Sequence, residues 1–106
     1  SSTRGLKPVA NVSIEIDGNP YQASSMGEGQ YDAFMKAIWQ IYDKLNMPHP
    51  VLVDYTVTIP PGGRTDAFVQ TLITWNMNGR ILKTNGLDAD QTEAAIQATL
   101  KMLNII

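Results

Sequence analysis

The sequence predicts an α+β domain made of two similar units, in which antiparallel β-sheets pack with two helices. The first observation is an internal repeat: residues 11–45 align without a gap on residues 72–106, and Gly18 falls on Gly79 (79 − 18 = 61). The second is that apolar positions of a strand and a helix recur at this offset. A repeat this short is one supersecondary unit that cannot readily bury its apolar face alone. We therefore expect the copies to pack about a pseudo-dyad, the alternative being chance similarity of two common patterns.

The first copy is predicted to be a β-hairpin followed by a helix. Residues 9–16 alternate between apolar and polar side chains, which is typical of a half-buried antiparallel strand. Asp17-Gly18 follows and favours a type I′ turn. The helix is expected over roughly Tyr31–Leu45, and its apolar arc is wider than packing on one sheet face requires. This width predicts a second contact, either with the other helix or with a partner subunit.

The second copy repeats this pattern and adds a strand. Residues 69–77 alternate into Asn78-Gly79, and a second helix is expected at about 90–104, opened by Asp90 in a variant of the capping box. Residues 51–59 form the additional strand, and its counterpart in the first copy would precede residue 1. We therefore expect residues 1–106 to be one domain, a fragment of a longer polypeptide lacking the first strand of unit one. A true N-terminus with an asymmetric repeat is the alternative.

Composition excludes several classes of function. A net charge of −2 over 106 residues argues against a nucleic-acid or anionic-membrane partner. There is no cysteine, and the single histidine, His49, lies between two prolines, where a solvated side chain is the simplest interpretation. No metal-ligand spacing occurs and no signal peptide is evident. We expect a non-catalytic, cytoplasmic domain without a cofactor, a metal or a membrane span.

The best binding candidate is the Gly27-Glu28-Gly29 segment, which connects a predicted strand to the first helix. Helix N-terminal N–H groups favour an anion such as a carboxylate, and glycines permit close backbone approach. An ordinary strand-to-helix turn is the alternative. The equivalent loop, residues 85–90, carries one glycine and two acids and is interpreted as helix capping. In a third loop, residues 62–67, Arg64 either pairs with a carboxylate or is solvated.

Four elements in this order resemble the C-terminal regulatory domain of 2-isopropylmalate synthase and its relative citramalate synthase. Together they cover nearly the whole chain from about Val9. They are Gly-x-Gly-x-x-Asp-Ala at 27–33, Leu-x-x-Tyr at 52–55, Gly-x-x-Asp-Ala at 63–67 and Gly-x-x-x-Asp-x-x-Glu-Ala at 86–94.

The resemblance implies two βββα units about a pseudo-dyad and a homodimer. It also implies that leucine or isoleucine binds near the dimer interface and inhibits a distant TIM-barrel domain, which condenses acetyl-CoA with a 2-oxo acid. This fragment would then contain no catalytic residue and would act in feedback inhibition of branched-chain amino-acid biosynthesis. The effector-binding residues carried over are Gly27, Gly29, Tyr31, Asp32, Val53, Tyr55, Asp66 and Ala67.

Each of these residues has an expected role. Helix N-terminal N–H groups would hold the effector carboxylate, and Asp32 or a backbone carbonyl would hold its ammonium group. Tyr31, Val53 and Tyr55 would pack on its aliphatic side chain, although the alternation of the last two also predicts simple core burial. A dimerisation domain without a ligand is the alternative function. An RNA-binding module is excluded because no basic cluster flanks the glycine segment.

Overall fold

The computed structural model describes residues 5–60 and 68–106. The chain divides into two compact units, the first ending at Pro48 and the second beginning at His49. The first unit contains strands β1 (Val9–Ile16) and β2 (Asn19–Met26) and helix α1 (Gln30–Lys44). The second contains β3 (Val51–Thr58), β4 (Val69–Met77), β5 (Arg80–Asp88) and α2 (Gln91–Ile105). The predicted α+β class is confirmed.

The first unit is a β-hairpin covered by one helix. Strands β1 and β2 are antiparallel and pair from Val9 opposite Met26 to Ile16 opposite Asn19. Asp17 and Gly18 both have positive φ, 52° and 83°, as a type I′ turn requires. Helix α1 packs on both strands. Its inward side chains are fully or almost fully buried and include Ala33, Ala37, Ile38, Ile41 and Tyr42.

The second unit is a three-stranded antiparallel sheet in the order β3-β4-β5, and α2 packs on β4 and β5. Its core is centred on Trp75 and Ile73 of β4, which are fully buried. The indole Nε1 of Trp75 donates a hydrogen bond of 2.9 Å to Oγ1 of Thr84 on the neighbouring strand. The polar atom of this large side chain is therefore satisfied inside the core, as burial demands.

The elements of secondary structure recur at the same offset as the internal repeat of the sequence. Helix α1 and helix α2 are offset by 61 residues at both ends (91 − 30 = 61; 105 − 44 = 61). The hairpin β1-β2 likewise corresponds to β4-β5. Among the described residues, β1 pairs with β2 alone, whereas β4 also pairs with β3. The pseudo-dyad stays a prediction.

The sequence predicted a loop at residues 85–90. This prediction is wrong for residues 85–88, because β5 continues to Asp88. Gly86 is a buried strand residue on which α2 packs very closely. A Cβ placed on Gly86 would overlap the backbone carbonyl oxygen of Ala94. This glycine is therefore required for the approach of helix to strand and not for a turn.

Strand β3 also departs from simple alternation. A register shift between Leu52 and Asp54 brings Leu52 opposite Trp75 and Tyr55 opposite Ile73. Leu52 and Tyr55 therefore share the face of the sheet that carries the core. Val53, which has no partner in the register, is the extra residue of a β-bulge. Val53 is 51% exposed, so the core burial that alternation predicted for it is wrong, whereas Tyr55 is half-buried.

Helix α2 is capped differently from the expected capping box. The carboxylate of Asp90 accepts hydrogen bonds from the N–H groups of Thr92 (2.8 Å) and Glu93 (3.1 Å), as predicted. The N–H of Asp90 itself donates to Oδ1 of Asp88 at 2.9 Å, so Asp88 takes the reciprocal role that the sequence assigned to Glu93. Neither helix in the described ranges 5–60 and 68–106 is long and apolar enough to cross a membrane.

Candidate functional site

The entry to α1 is a tight glycine segment. Gly27 is buried, and its N–H donates to the carbonyl oxygen of Pro8 at 3.1 Å. A Cβ on Gly27 would overlap the backbone of Ala33 in the first turn of the helix. Only a residue without a side chain lets the strand end pass this close to α1. Gly27 is therefore required for packing within the chain, and the approach of a ligand to it stays a prediction.

Gly29 has a different role, because the space around it is open. It is the N-cap residue of α1, in an extended conformation (φ −144°, ψ 177°), and no atom lies within 4 Å of a Cβ placed on it. The approach of a ligand to the backbone of Gly29 stays a prediction. Because glycine has no side-chain oxygen, Gly29 leaves the N-terminus of α1 without a side-chain cap. The N–H groups of a first helical turn have no partner within the helix and depend on such an acceptor.

The corresponding position in the second unit is Asp90 (90 − 29 = 61). Its carboxylate closes the N-terminus of α2 by accepting two backbone hydrogen bonds. The two helix entries are therefore equivalent in the repeat but opposite in chemistry. The entry of α2 holds a carboxylate of its own, whereas no side chain caps the entry of α1.

The carboxylate of Asp32 is directed back onto the glycine segment. Its Oδ2 accepts the N–H of Glu28 at 2.8 Å and lies 3.3 Å from Nζ of Lys36. The hydrogen bond from Glu28 lowers the pKa of Asp32, and Lys36 adds to the shift. Asp32 therefore shapes the segment from Glu28 to the first helical turn, a role that the sequence did not predict.

A second ion pair binds the segment before β1 to the same place. Nζ of Lys7 lies 2.7 Å from Oε2 of Glu28. This hydrogen bond raises the pKa of Lys7 and lowers the pKa of Glu28. Beside it, Nε2 of Gln30 donates to the carbonyl oxygen of Val9 at 3.3 Å. Sequence reasoning missed Lys7, because no local pattern relates residues 21 positions apart.

The structure assigns the predicted site residues to different parts of the chain. Gly27, Gly29, Tyr31 and Asp32 lie together at the α1 entry of the first unit. Tyr31 is half-buried there, and its ring lies 6.1 Å from that of Phe34, centroid to centroid. Val53 and Tyr55 belong to β3 of the second unit. Asp66 and Ala67, like Arg64, lie outside the described residues.

A cavity of about 510 Å³ lies away from this segment, between β2 and the C-terminal end of α1. Its lining residues are Gln22, Ala23, Gln40, Ile41, Asp43 and Lys44. Because a helix rises about 1.5 Å per residue, Gln40 lies about 15 Å along α1 from its first residue. The cavity is thus separate from the helix entry. In residues 5–60 and 68–106, no group of three or more His, Cys, Asp or Glu side chains is placed to hold a metal ion.

These features define a class: an α+β domain with a tandem repeat, in which one of two equivalent helix entries has no side-chain cap. The chain belongs to the family of LeuA allosteric (dimerisation) domains, whose model matches residues 1–106. The family that the motifs indicated is therefore confirmed.

Several enzymes contain a region similar to this chain. The 2-isopropylmalate synthase of Hydrogenovibrio crunogenus is 34% identical over 100 residues, which are 94% of this chain and 18% of that protein. That of Nitrosococcus oceani is 33% identical over 105 residues, 99% of this chain and 20% of that protein. A protein of Archaeoglobus fulgidus assigned as an (R)-citramalate synthase is 28% identical over 105 residues, 99% of this chain and 21% of that protein. The chain thus spans about a fifth of the length of these relatives.

Proposed function

We propose that this chain is the effector-binding regulatory domain of a 2-isopropylmalate synthase-type acyltransferase, and that leucine or isoleucine inhibits the parent enzyme through it. Family membership supports the regulatory role, and relatives named 2-isopropylmalate synthase support the parent activity. The observation that carries the binding role is the contrast between Gly29, which does not cap α1, and Asp90, which caps α2.

The effector would bind by its carboxylate at the entry of α1. First-turn N–H groups and the positive end of the helix dipole favour a negative charge there. Tyr31 and Phe34 place aromatic surface on the first turn of α1, where an aliphatic side chain would pack. Val53, Tyr55, Asp66 and Ala67 stay effector-binding candidates on the family resemblance alone. The ammonium group would be held by a backbone carbonyl or by Asp32, whose Oδ2 already accepts the N–H of Glu28.

The parent protein would be a homodimer with a catalytic TIM-barrel domain. The dimerisation function in the family description supports the homodimer, and the coverage of about a fifth of each relative supports a larger parent chain. Feedback inhibition would then be a free-energy link between the effector site and a catalytic site elsewhere in that chain. A cytoplasmic location follows from the biosynthetic role.

A dimerisation domain that binds no effector is the second candidate. Strand β3 carries apolar side chains that the described residues leave exposed: Val51 is 62% and Val53 51% accessible. Association with a second copy would cover such a surface without any ligand. This candidate predicts a stable dimer that is indifferent to amino acids.

Calorimetric titration of the chain with leucine, isoleucine and valine separates the two candidates. The site variant is Gly29→Asp, which places at the α1 entry the residue that closes α2. Its carboxylate would occupy the first-turn N–H groups and abolish binding, and the extended backbone and open space of Gly29 accept the new side chain. Gly29→Ala is the matched control, because it adds a Cβ but no acceptor, and it should retain binding.

Saturable heat that is lost in Gly29→Asp and kept in Gly29→Ala would support the effector site at α1. Preference for isoleucine over leucine would move the parent toward citramalate synthase. Absence of heat with all three amino acids, on a chain shown to be folded and dimeric, would reject the effector and leave the dimerisation domain.

A further inference from the structure

Two acidic side chains surround the entry of α1, and each contacts a lysine. Glu28 lies 2.7 Å from Lys7, and Asp32 lies 3.3 Å from Lys36. The four charges cancel, so the helix entry is locally neutral although two carboxylates stand within four residues of each other. This arrangement matters because a carboxylate near a helix N-terminus is attracted to the same N–H groups that a ligand would use.

The second unit shows what an acid does at such an entry when it is placed to reach the amides. Asp90 turns its carboxylate onto the N–H groups of Thr92 and Glu93. The lysines of the first unit have no counterpart there. The positions equivalent to Lys7, Glu28, Asp32 and Lys36 are occupied by Phe68, Ala89, Glu93 and Gln97.

Glu28 immediately precedes the N-cap residue Gly29, and its side chain is long enough to bend toward the first turn. The ion pair with Lys7 draws its carboxylate toward the segment before β1 instead. That segment is itself fixed to the helix entry, since Pro8 accepts the N–H of Gly27 and Val9 accepts a side-chain N–H of Gln30. These two hydrogen bonds therefore hold Lys7 within ion-pair distance of Glu28.

We propose that Lys7 is a positioning residue for the effector site: by holding the carboxylate of Glu28, it keeps the first-turn N–H groups of α1 open to the carboxylate of the effector. This inference rests on the proposed function and adds to it a residue outside the family motif. Lys7 acts through Glu28 and not by contact with the effector. Removing Lys7 alone frees the carboxylate of Glu28 to compete with the effector for the first-turn N–H groups. Removing the charges of both Lys7 and Glu28 leaves no such competitor.

The test is a calorimetric titration with leucine of the wild-type chain, Lys7→Ala, Glu28→Gln and the double variant. Because exposed ion pairs are weak, we expect Lys7→Ala to weaken leucine binding by about two- to fivefold. Glu28→Gln should bind as tightly as wild type or more tightly, and the double variant should match Glu28→Gln. Lys44→Ala, at the opposite end of α1, removes the same charge and should bind like wild type.

The sign of the Glu28→Gln effect separates this role from a merely structural one. If the ion pair only fixed the backbone, Glu28→Gln would weaken binding as Lys7→Ala does, and that result would overturn the proposal. Unchanged binding in Lys7→Ala would overturn it too, with the proposed effector function intact. If the folded wild-type chain binds no leucine, isoleucine or valine, the proposed function fails and this inference fails with it.

Discussion

Gly29 and Asp90 occupy the same position of the internal repeat, directly before the first residue of a helix, yet only Asp90 caps its helix. Side-chain capping satisfies N–H groups that otherwise lack a partner, and Asp is among the best residues for it. The chain thus caps the N-terminus of α2 with its own carboxylate and leaves the N-terminus of α1 without a side-chain cap. Because both helices belong to one internal repeat, Gly29 and Asp90 can be compared directly within the same chain.

The first prediction concerns the stability of these two helix entries. Asp90→Ala should lower the free energy of unfolding by about 1 kcal/mol, because the N–H groups of Thr92 and Glu93 lose their acceptor. Gly29→Asp should have the opposite sign and raise it by a few tenths of a kcal/mol, roughly the Gly-to-Asp difference at an N-cap. Urea denaturation followed by circular dichroism measures both. A loss of stability in Gly29→Asp would contradict the open geometry at Gly29.

The second prediction compares glycines at sites of close approach with the glycine at an open site. Gly27→Ala and Gly86→Ala should each destabilise the fold by about 1–3 kcal/mol, because the new methyl group overlaps backbone atoms of Ala33 or Ala94 and the helix must shift. Gly29→Ala is the control and should cost less, since nothing lies within 4 Å of its Cβ position. Equal denaturation midpoints for all three variants would be incompatible with this packing.

The third prediction concerns buried hydroxyl groups in the second unit. Thr84→Val should cost about 1–3 kcal/mol, because it leaves the buried indole N–H of Trp75 without its acceptor. Thr71→Val is the matched control on the neighbouring strand. Thr71 is fully buried, and among the described residues its Oγ1 has no hydrogen-bond partner. Replacing that hydroxyl by a methyl group should therefore leave stability unchanged or raise it.

Both threonine variants can be measured by thermal unfolding. Near-UV circular dichroism of the Trp75 environment supplies an independent signal, although Trp39 also contributes to it. Thr71→Val as costly as Thr84→Val would mean that Oγ1 of Thr71 has a partner in solution.

The fourth prediction is a pH dependence of stability from Asp32. Its pKa in the folded chain lies below the ordinary value of 3.8, chiefly because its carboxylate accepts the N–H of Glu28. A lowered carboxyl pKa contributes stability above the unfolded pKa, and this contribution is lost as the pH falls through the folded pKa. The melting temperature of wild type should therefore fall more steeply below about pH 5 than that of Asp32→Asn.

Lys36→Ala distinguishes the two causes of this pKa shift. It removes the weaker contribution and leaves the hydrogen bond from Glu28, so its melting curve against pH should lie between those of wild type and Asp32→Asn. A Lys36→Ala curve that coincides with Asp32→Asn would assign the shift to the ion pair. The remaining difference in melting temperature between Lys36→Ala and Asp32→Asn should persist in high salt, because a short hydrogen bond is screened less than an exposed ion pair.

The sequence alone predicted the elements that depend on local chemistry. Strand alternation, the Asp17-Gly18 and Asn78-Gly79 turns, the helical period and the Asp90 cap are all properties of residues a few positions apart. The constant offset between α1 and α2 followed from aligning the chain with itself, and the ordered motifs indicated the family. Each of these inferences needed only neighbouring residues or a comparison of patterns.

Tertiary structure decided what depends on residues distant in sequence. Gly86 pairs with Thr71 in the sheet and lies against the backbone of Ala94, and Val53 is exposed on β3 because α2 packs on β4 and β5. The pairing of Lys7 with Glu28 likewise follows from the hairpin, which brings the start of β1 beside the end of β2. The physical reason is the same in each case. Local propensity determines the conformation of a segment, but register, steric fit and ion pairing are properties of two segments brought together by folding.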